Sequence, residues 1–451
     1  MYPAKETLTG HVGLEKLMQT SLQGIAQKAK QLKKHRFQNL YGLLNSISLK
    51  EAWKSINKKA AAGADKISAK EFAENLDSNI NEIVDKLKGK RYRAKLVRRV
   101  YIPKGKDKTR PLGIPAIADK ILQSAAVKTL EAIYEQDFLP NSYGYRPKVG
   151  AKTAVKALSE ELQFKKYSYI VEADIKGFFD NINHDWLISM LEIRVEDSAF
   201  IGLINKWLKA GIMEPDGQVV NPITGTPQGG IISPILANIY LHYTLDIWFE
   251  KVVKHRCEGE AYMCRYADDF ICAFRYKRDA ERFYRALGQR LNKFGLELAK
   301  DKTNIISFSR FRKSENTSFD FLGFEFRWQV SRHGRDVIKK RTSRSKMRKS
   351  LANVKQWCKE NRDKRLATLF STLNAKLRGY YNYYGVIGNY DSLNEYYRIT
   401  KKMLYKWLNR RSQRRSCNLC QFKQVLKRYR IELPRTTERP NNQLEFDFSF
   451  V

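Results

Sequence analysis

No run of apolar residues in this chain is long enough to span a bilayer, and its N-terminus has no apolar core of the kind a secretion signal needs. The protein is therefore expected in the cytosol, with no membrane partner. Cysteine is scarce, at six in 451 residues. Cys264, Cys272 and Cys358 sit in apolar contexts, where a small buried hydrophobe is the default. Cys417 and Cys420 form a lone CxxC; without a second pair, or any His beyond His333, they cannot close a tetrahedral zinc site. No internal repeat is present. The largest deficit is in acids, where 47 Asp and Glu face 84 Lys and Arg, leaving a net charge of +37. Such an excess marks a polyanionic partner, and 24 Tyr and 23 Phe add surfaces on which bases stack. The length suits roughly two to four domains.

Against that deficit, the acids that do occur in apolar surroundings stand out. Residues 262–274 (YMCRYADDFICAF) place Asp268 and Asp269 between strand-favouring aromatic and β-branched residues. The pattern reads as a β-hairpin with adjacent carboxylates at its turn. Two such acids repel each other, a repulsion that a hard divalent cation relieves. Upstream, Tyr169–Asp180 (YIVEADIKGFFD) is an apolar strand ending on Asp174, followed by a turn past Gly177 and an amphipathic helix from about Asn183. Carboxylates from two neighbouring strands holding two metal ions form a minimal machine for in-line phosphoryl displacement.

The remaining segments fall around this centre. Residues 1–48 read as a helix with a basic end, an arm that packs on the main body and faces a nucleic-acid backbone. Residues 100–115 read as a hairpin, after a basic run at 86–99, with Lys104 and Arg110 on its arms, a point charge and a fork suited to clamping a triphosphate. Residues 119–135 are expected as an amphipathic helix. The loop GTPQGGIISP at 225–234 opens a helix, with Ser233 as its cap and Pro234 at the first helical position. A composition shift near 335 marks a boundary, beyond which residues 339–433 are basic and helical with interleaved tyrosines. The tail from Thr436 is expected to be flexible.

In order, these pieces resemble the successive motifs of a reverse transcriptase: the Lys104/Arg110 hairpin, the strand to Asp174, PQGG, YADD and FLGF. GADKIS, SYGYRP, TPQGGIISP and LRGYYNYYG make the chain similar to the proteins encoded by bacterial group II introns, over about residues 45–435. The resemblance implies an α+β, right-hand polymerase fold: fingers and palm with an antiparallel sheet over 49–330, an α-helical thumb/maturase X domain over 331–435, and a tail at 436–451. It implies two Mg²⁺ ions on Asp174, Asp268 and Asp269, with the Ile175 carbonyl as a further ligand. Lys104 and Arg110 take the triphosphate, Gln228 lies beside the incoming nucleotide, and Phe179 is the gate against a ribose 2′-hydroxyl. Lys302 falls where the family has a lysine near the leaving pyrophosphate, as a general acid. Lys401, Lys402, Lys406, Arg410, Arg411, Arg414 and Arg415 are the candidate RNA-binding cations. The implied partners are group II intron RNA, an RNA template with a DNA primer, dNTPs and target DNA in a bacterial cytoplasm; pairing as a homodimer is left open.

Longer relatives carry a zinc-dependent endonuclease after the thumb. None is expected here, so insertion would use single-stranded or pre-nicked targets such as those at a replication fork. The leading function is an RNA-directed DNA polymerase that also assists splicing and mobility of its intron. Alternatives are a domesticated relative in repair or phage defence, and an RNA-binding splicing factor with a vestigial polymerase site. The intact acid triad argues against the last.

Overall fold

A computed structural model describes residues 10–103, 109–311, 317–411 and 417–438. It opens with four helices: α1 (Gly10–Gln31), α2 (Ser46–Ser55), α3 (Ala69–Glu74) and α4 (Leu76–Lys88). Asn45 and Ser68 close capping boxes with Ser48 and Glu71, satisfying N–H groups that a helix start leaves free. The basic end of α1 is fixed from inside. Buried Arg194 donates to the carbonyls of Ala29, Leu32, Lys33 and His35 and pairs with Asp137 at 2.9 Å. A guanidinium at a helix C-terminus meets the carbonyls that have no partner within the helix.

Strands β1 (Val97–Pro103) and β2 (Thr109–Ile114) form the expected hairpin, with Ile102 opposite Arg110. Next comes α5 (Ile117–Tyr134), which is not the amphipathic helix expected over 119–135. It is buried on almost every side because it runs between α1 and α2, and Asp119, Lys120 and Gln123 are buried with it. These polar groups bond inward: Lys120 to the Ala61 carbonyl at 2.7 Å, Asp119 to the Tyr92 hydroxyl. Helix α6 (Ala151–Phe164) leads to β3 (Tyr169–Ala173) and β4 (Ile175–Lys176), then α7 (His184–Glu192) and α8 (Ser198–Leu208). Strands β5 (Ile212–Met213) and β6 (Val219–Val220) extend the first hairpin into a sheet of order β2-β1-β5-β6. Helix α9 (Ser233–Leu241) continues through two wide π turns, His242–Asp246 and Phe249–Val253, into α10 (Lys254–Arg256).

The central sheet has the order β10-β3-β8-β7, with β7 (Ala261–Tyr266), β8 (Asp269–Phe274) and β10 (Asn304–Ser307) all antiparallel to their neighbours. Strand β8 explains the apolar run in the sequence. Phe270, Cys272 and Phe274 enter one core, while Ile271 and Ala273 enter a second core on the opposite face. With both faces buried, a slip of one residue would exchange two complete sets of contacts, so the register is tightly specified. Helix α11 (Lys277–Lys293) covers the first face through Ala280, Phe283, Leu287 and Leu291. Strand β9 (Glu297–Leu298) pairs with β4.

Strands β11 (Ser318–Phe321), β12 (Phe324–Val330) and β13 (Asp336–Thr342) form one sheet. A boundary at 331 therefore falls inside the β12–β13 hairpin; the helical region begins at α12 (Arg344–Glu360). It continues with α13 (Leu366–Tyr384), α14 (Tyr390–Leu408) and α15 (Leu419–Arg428) around a core of its own. The architecture is thus mixed α and β with a helical C-terminal region. No helix among the described residues is long and apolar enough to cross a membrane.

The flexible tail expected from Thr436 does not begin there. Thr437 and Glu438 donate their N–H groups to the Gly385 carbonyl at 2.8 and 2.9 Å, and the Glu438 carboxylate accepts from Ile387 N–H at 2.6 Å. The Thr437 hydroxyl bonds the Tyr381 carbonyl and accepts from Lys152 of α6 at 2.5 Å. The end of α13 leaves carbonyls without helical partners, and this strap supplies donors. Residues 439–451 lie outside the described residues.

Candidate active site

The β7–β8 hairpin presents the acid pair as expected. Tyr266 pairs with Asp269, leaving Ala267 and Asp268 as the turn. On the neighbouring strand the last pair is Ala173 with Phe270; one residue further along that register, Asp174 comes opposite Asp269. Three carboxylates are thereby gathered at one end of the central sheet. Removal from bulk water, then the charges of Asp268 and Asp174, push the Asp269 carboxyl up to about 6.

Ala267 holds a left-handed backbone with φ +56°, a conformation that costs a residue bearing Cβ roughly 1–2 kcal/mol. Arg265 holds it there, and all five of its N–H donors are used. Nε and one terminal nitrogen fork onto Asp246 at 2.7 and 2.6 Å, while the remaining bonds reach Asn238, Ser142 and the Ala267 carbonyl. Arg265 and Asp246 are both completely buried. The π turn over His242–Asp246 is the segment that carries Asp246. Residues Asn141–Arg146 lie alongside, where Gly144 touches the turn so closely that a Cβ would stand 2.1 Å from the Ala267 nitrogen. Nothing in the sequence reading marked this network. The available signal was a single cation, Arg265, in a strand otherwise apolar or aromatic.

A second framework is built around the PQGG loop. Gly113 N–H of β2 donates to the Gln228 carbonyl at 2.6 Å, and Thr226 N–H donates to the Phe179 carbonyl at 2.8 Å. Arg110, Gln228 and Phe179 are thus tied into one framework through backbone. Gly225, with φ +88°, is required because a Cβ would meet the Asp180 carbonyl oxygen at 2.8 Å. Ser233 differs from expectation: it is the first helical residue and not a side-chain cap, since its hydroxyl donates to the Pro227 carbonyl at 2.9 Å and closes the loop. Lys104 lies outside the described residues.

Lys302 reaches the triad directly, its ammonium bonded to Asp174 Oδ2 at 2.5 Å. That bond raises the Lys302 pKa. Ala299 N–H donates to the Asp174 carbonyl at 2.9 Å, so both ends of Asp174 meet the segment after β9, while Ile175 pairs with Leu298. Lys346 of α12 also bears on Asp269 electrostatically, a residue the sequence reading passed over. It lines, with Tyr383, the cleft onto which the triad opens. Among the described residues, no three His, Cys, Asp or Glu side chains are arranged as a metal-binding group. Magnesium needs no such group of three, because it retains waters and takes one or two carboxylates together with substrate phosphates. Carboxylate oxygens whose mutual repulsion a cation would relieve are a suitable donor set.

The candidate RNA-binding cations do not form a single helix face, because α14 stops at Leu408. Lys402, Lys406 and Arg410 are exposed. Lys401 lies over the Tyr397 ring at 4.5 Å and Arg410 over Trp407 at 5.4 Å. Arg411 turns inward and donates to the Lys364 carbonyl at 2.8 Å. Arg414 and Arg415 lie outside the described residues. Of the tyrosine run, Tyr380 and Tyr381 are core, and Tyr380 stacks on Tyr396 at 3.7 Å.

Residues 102–326 match the family "Reverse transcriptase (RNA-dependent DNA polymerase)", and residues 347–429 match "Group II intron, maturase-specific domain". The chain is 32% identical over 405 residues to the group II intron-encoded protein LtrA of Lactococcus lactis subsp. cremoris, covering 70% of this chain and 65% of that protein. It is 31% identical over 302 residues to protein YkfC of Escherichia coli K12, covering 60% and 77%. To a putative COX1/OXI3 intron 1 protein of Saccharomyces cerevisiae it is 26% identical over 392 residues, covering 70% and 46%. The chain thus spans just under two thirds of the Lactococcus protein's length.

Proposed function

The chain belongs to the group II intron reverse transcriptase/maturase family, and on that premise we propose that it is an RNA-directed DNA polymerase that also binds its intron RNA and assists splicing and mobility. The observation that carries this reading is the strand register in which Asp174 comes opposite Asp269, next to the Asp268–Asp269 turn. In right-hand terms, the central sheet is the palm, the β2-β1-β5-β6 sheet lies in the fingers, and the helices from Arg344 are the thumb and X domain.

Asp174, Asp268 and Asp269, with the Ile175 carbonyl, would hold two magnesium ions, which lower the pKa of the primer 3′-hydroxyl and stabilise the pyrophosphate leaving group. Lys104 and Arg110 grip the triphosphate, and Gln228 orients the incoming dNTP. The 3′-hydroxyl gives its proton to water as its oxygen forms a bond to the α-phosphorus and the bond to the bridging oxygen breaks, and Lys302 gives its proton to the departing pyrophosphate. Phe179 excludes a ribose 2′-hydroxyl. The basic helical region takes intron RNA, and target DNA is primed in the bacterial cytoplasm.

Asp268→Asn tests the reading. Loss of one ligand should lower primer extension by several orders of magnitude, since each ~1.4 kcal/mol of lost transition-state stabilisation is tenfold. RNA affinity should stay near wild type, because the cationic surfaces are unchanged. Near-wild-type extension by the variant refutes the site.

A further inference from the structure

Tyr145 has a strained conformation beside this site that neither the acid triad nor the triphosphate clamp explains. It has φ +56°, in the left-handed region that a residue with Cβ avoids, yet it is half exposed. Its neighbours allow no relaxation. Gly144 is pressed against the Ala267 backbone, and its carbonyl accepts from Asn238 at 2.6 Å. Arg146 is held by Glu135 at 3.0 Å and by the carbonyls of Leu139 and Ser142. Strain kept at an exposed position by such anchoring needs a purpose.

The ring supplies one. Its centroid is 6.3 Å from that of Phe179 at an interplanar angle of 74°, an edge-to-face contact. Phe178 meets Phe179 in a second such contact, at 5.4 Å and 63°. The Phe179 backbone is held in turn by Thr226 N–H. Phe179 therefore has two aromatic neighbours, and only Tyr145 comes from the loop that grips the catalytic turn. Burial raises the Tyr145 hydroxyl pKa, and the charges of Asp268 and Arg110 both reach it.

We propose that Tyr145 is a positioning residue for sugar selection: its ring buttresses Phe179 and couples the gate to the catalytic turn. This rests on the polymerase reading above. Without the buttress the Phe179 ring gains freedom to move aside, and a ribonucleotide is admitted more often. An edge-to-face pair of this kind corresponds to a change on the order of 2- to 10-fold.

The test is single-turnover incorporation of a matched ribonucleotide and deoxynucleotide on one RNA template, with wild type, Tyr145→Ala, Tyr145→Phe, Phe179→Ala and the Tyr145→Ala/Phe179→Ala double variant. Tyr145→Ala should raise the ribonucleotide-to-deoxynucleotide ratio by that factor, and Tyr145→Phe should restore the wild-type ratio. The double variant should match Phe179→Ala, because the buttress has nothing left to act on. An unchanged ratio in Tyr145→Ala overturns the assignment. So does a double variant in which the two increases multiply, or a Tyr145→Phe variant that behaves like Tyr145→Ala. A general loss of fold would lower both rates without moving the ratio, and circular dichroism detects it separately. Wild type that extends no primer overturns the polymerase reading itself, and this assignment with it.

Discussion

Arg265→Met should be among the most damaging single changes available outside the acid triad. The variant leaves Asp246 fully buried without its guanidinium, with only His242 Nδ1 at 3.9 Å nearby, and that imidazole is neutral because burial lowers its pKa to about 4. Deleting one partner of a buried pair costs about 3–5 kcal/mol. Asp246→Leu leaves the guanidinium stranded and should cost a similar amount. Combining the two removes both charges, so the double variant should be more stable than the sum of the single losses implies, with a coupling of about 2–3 kcal/mol. It should not regain wild-type stability, since Asn238, Ser142 and the Ala267 carbonyl still lack their donor. Urea unfolding followed by circular dichroism gives the four midpoints, compared at equal slope. Primer extension should stay low in the double variant even where it is folded, because the turn bearing Asp268 is no longer held. Additive losses, or a cost below about 1 kcal/mol for Arg265→Met, would refute this account of the turn.

Acid stability should depend on His242. Its folded pKa of about 4 lies below the ordinary 6.5, so as pH falls from 6.5 to 4 the unfolded chain takes up a proton that the folded protein refuses, and stability declines by up to about 3 kcal/mol. His242→Phe, which preserves the ring contact to Phe138 at 5.5 Å, should flatten that limb in thermal melts at stepped pH; an unchanged limb refutes it. Replacing Lys402, Lys406 and Arg410 with Gln should reduce the log–log salt slope of intron RNA binding by up to about 2–3 units, at roughly 0.7–0.9 per phosphate contact. Arg411→Gln should cost stability without moving that slope, since its guanidinium serves the Lys364 carbonyl; equal slopes for wild type and triple variant would place those three cations away from RNA. Gly144→Ala should displace the catalytic turn, costing about 1–3 kcal/mol and lowering extension further than stability alone accounts for; a variant as active as wild type refutes the close approach.

The parts legible in the sequence were those written in local pattern. The YADD hairpin, the strand to Asp174 and the β1–β2 hairpin each carry their own strand-favouring run and turn residues, and all three stand where the pattern put them. What escaped was set by contacts far apart in the chain. Residues 119–135 have the polar positions of a surface helix, but α5 buries them because their partners, such as Ala61, come from other elements. Composition shifts near residue 335, yet β13 pairs with β12 over its full length and carries the sheet on to Thr342. Ser233 has the chemistry of a cap and spends it on Pro227. Arg265 and Asp246 are 19 residues apart on different elements, and neither identity announces the other.

The strap at Thr437 and Glu438 has a consequence for how the protein is made. It ties α6 to the end of α13 through Lys152 and Thr437, which stand 285 positions apart, so this tie forms only after residue 438 has been made. The central sheet has all its strands once β10 has emerged from the ribosome, and folding proceeds as segments appear. The strap closes only once translation has passed Glu438, whereas the ring contacts of Phe324 with Tyr383 and Tyr384 can form before it. A nascent chain stalled short of that residue would thus display a finished sheet with its carboxylates, and C-terminal helices docked on it without their last tie to α6.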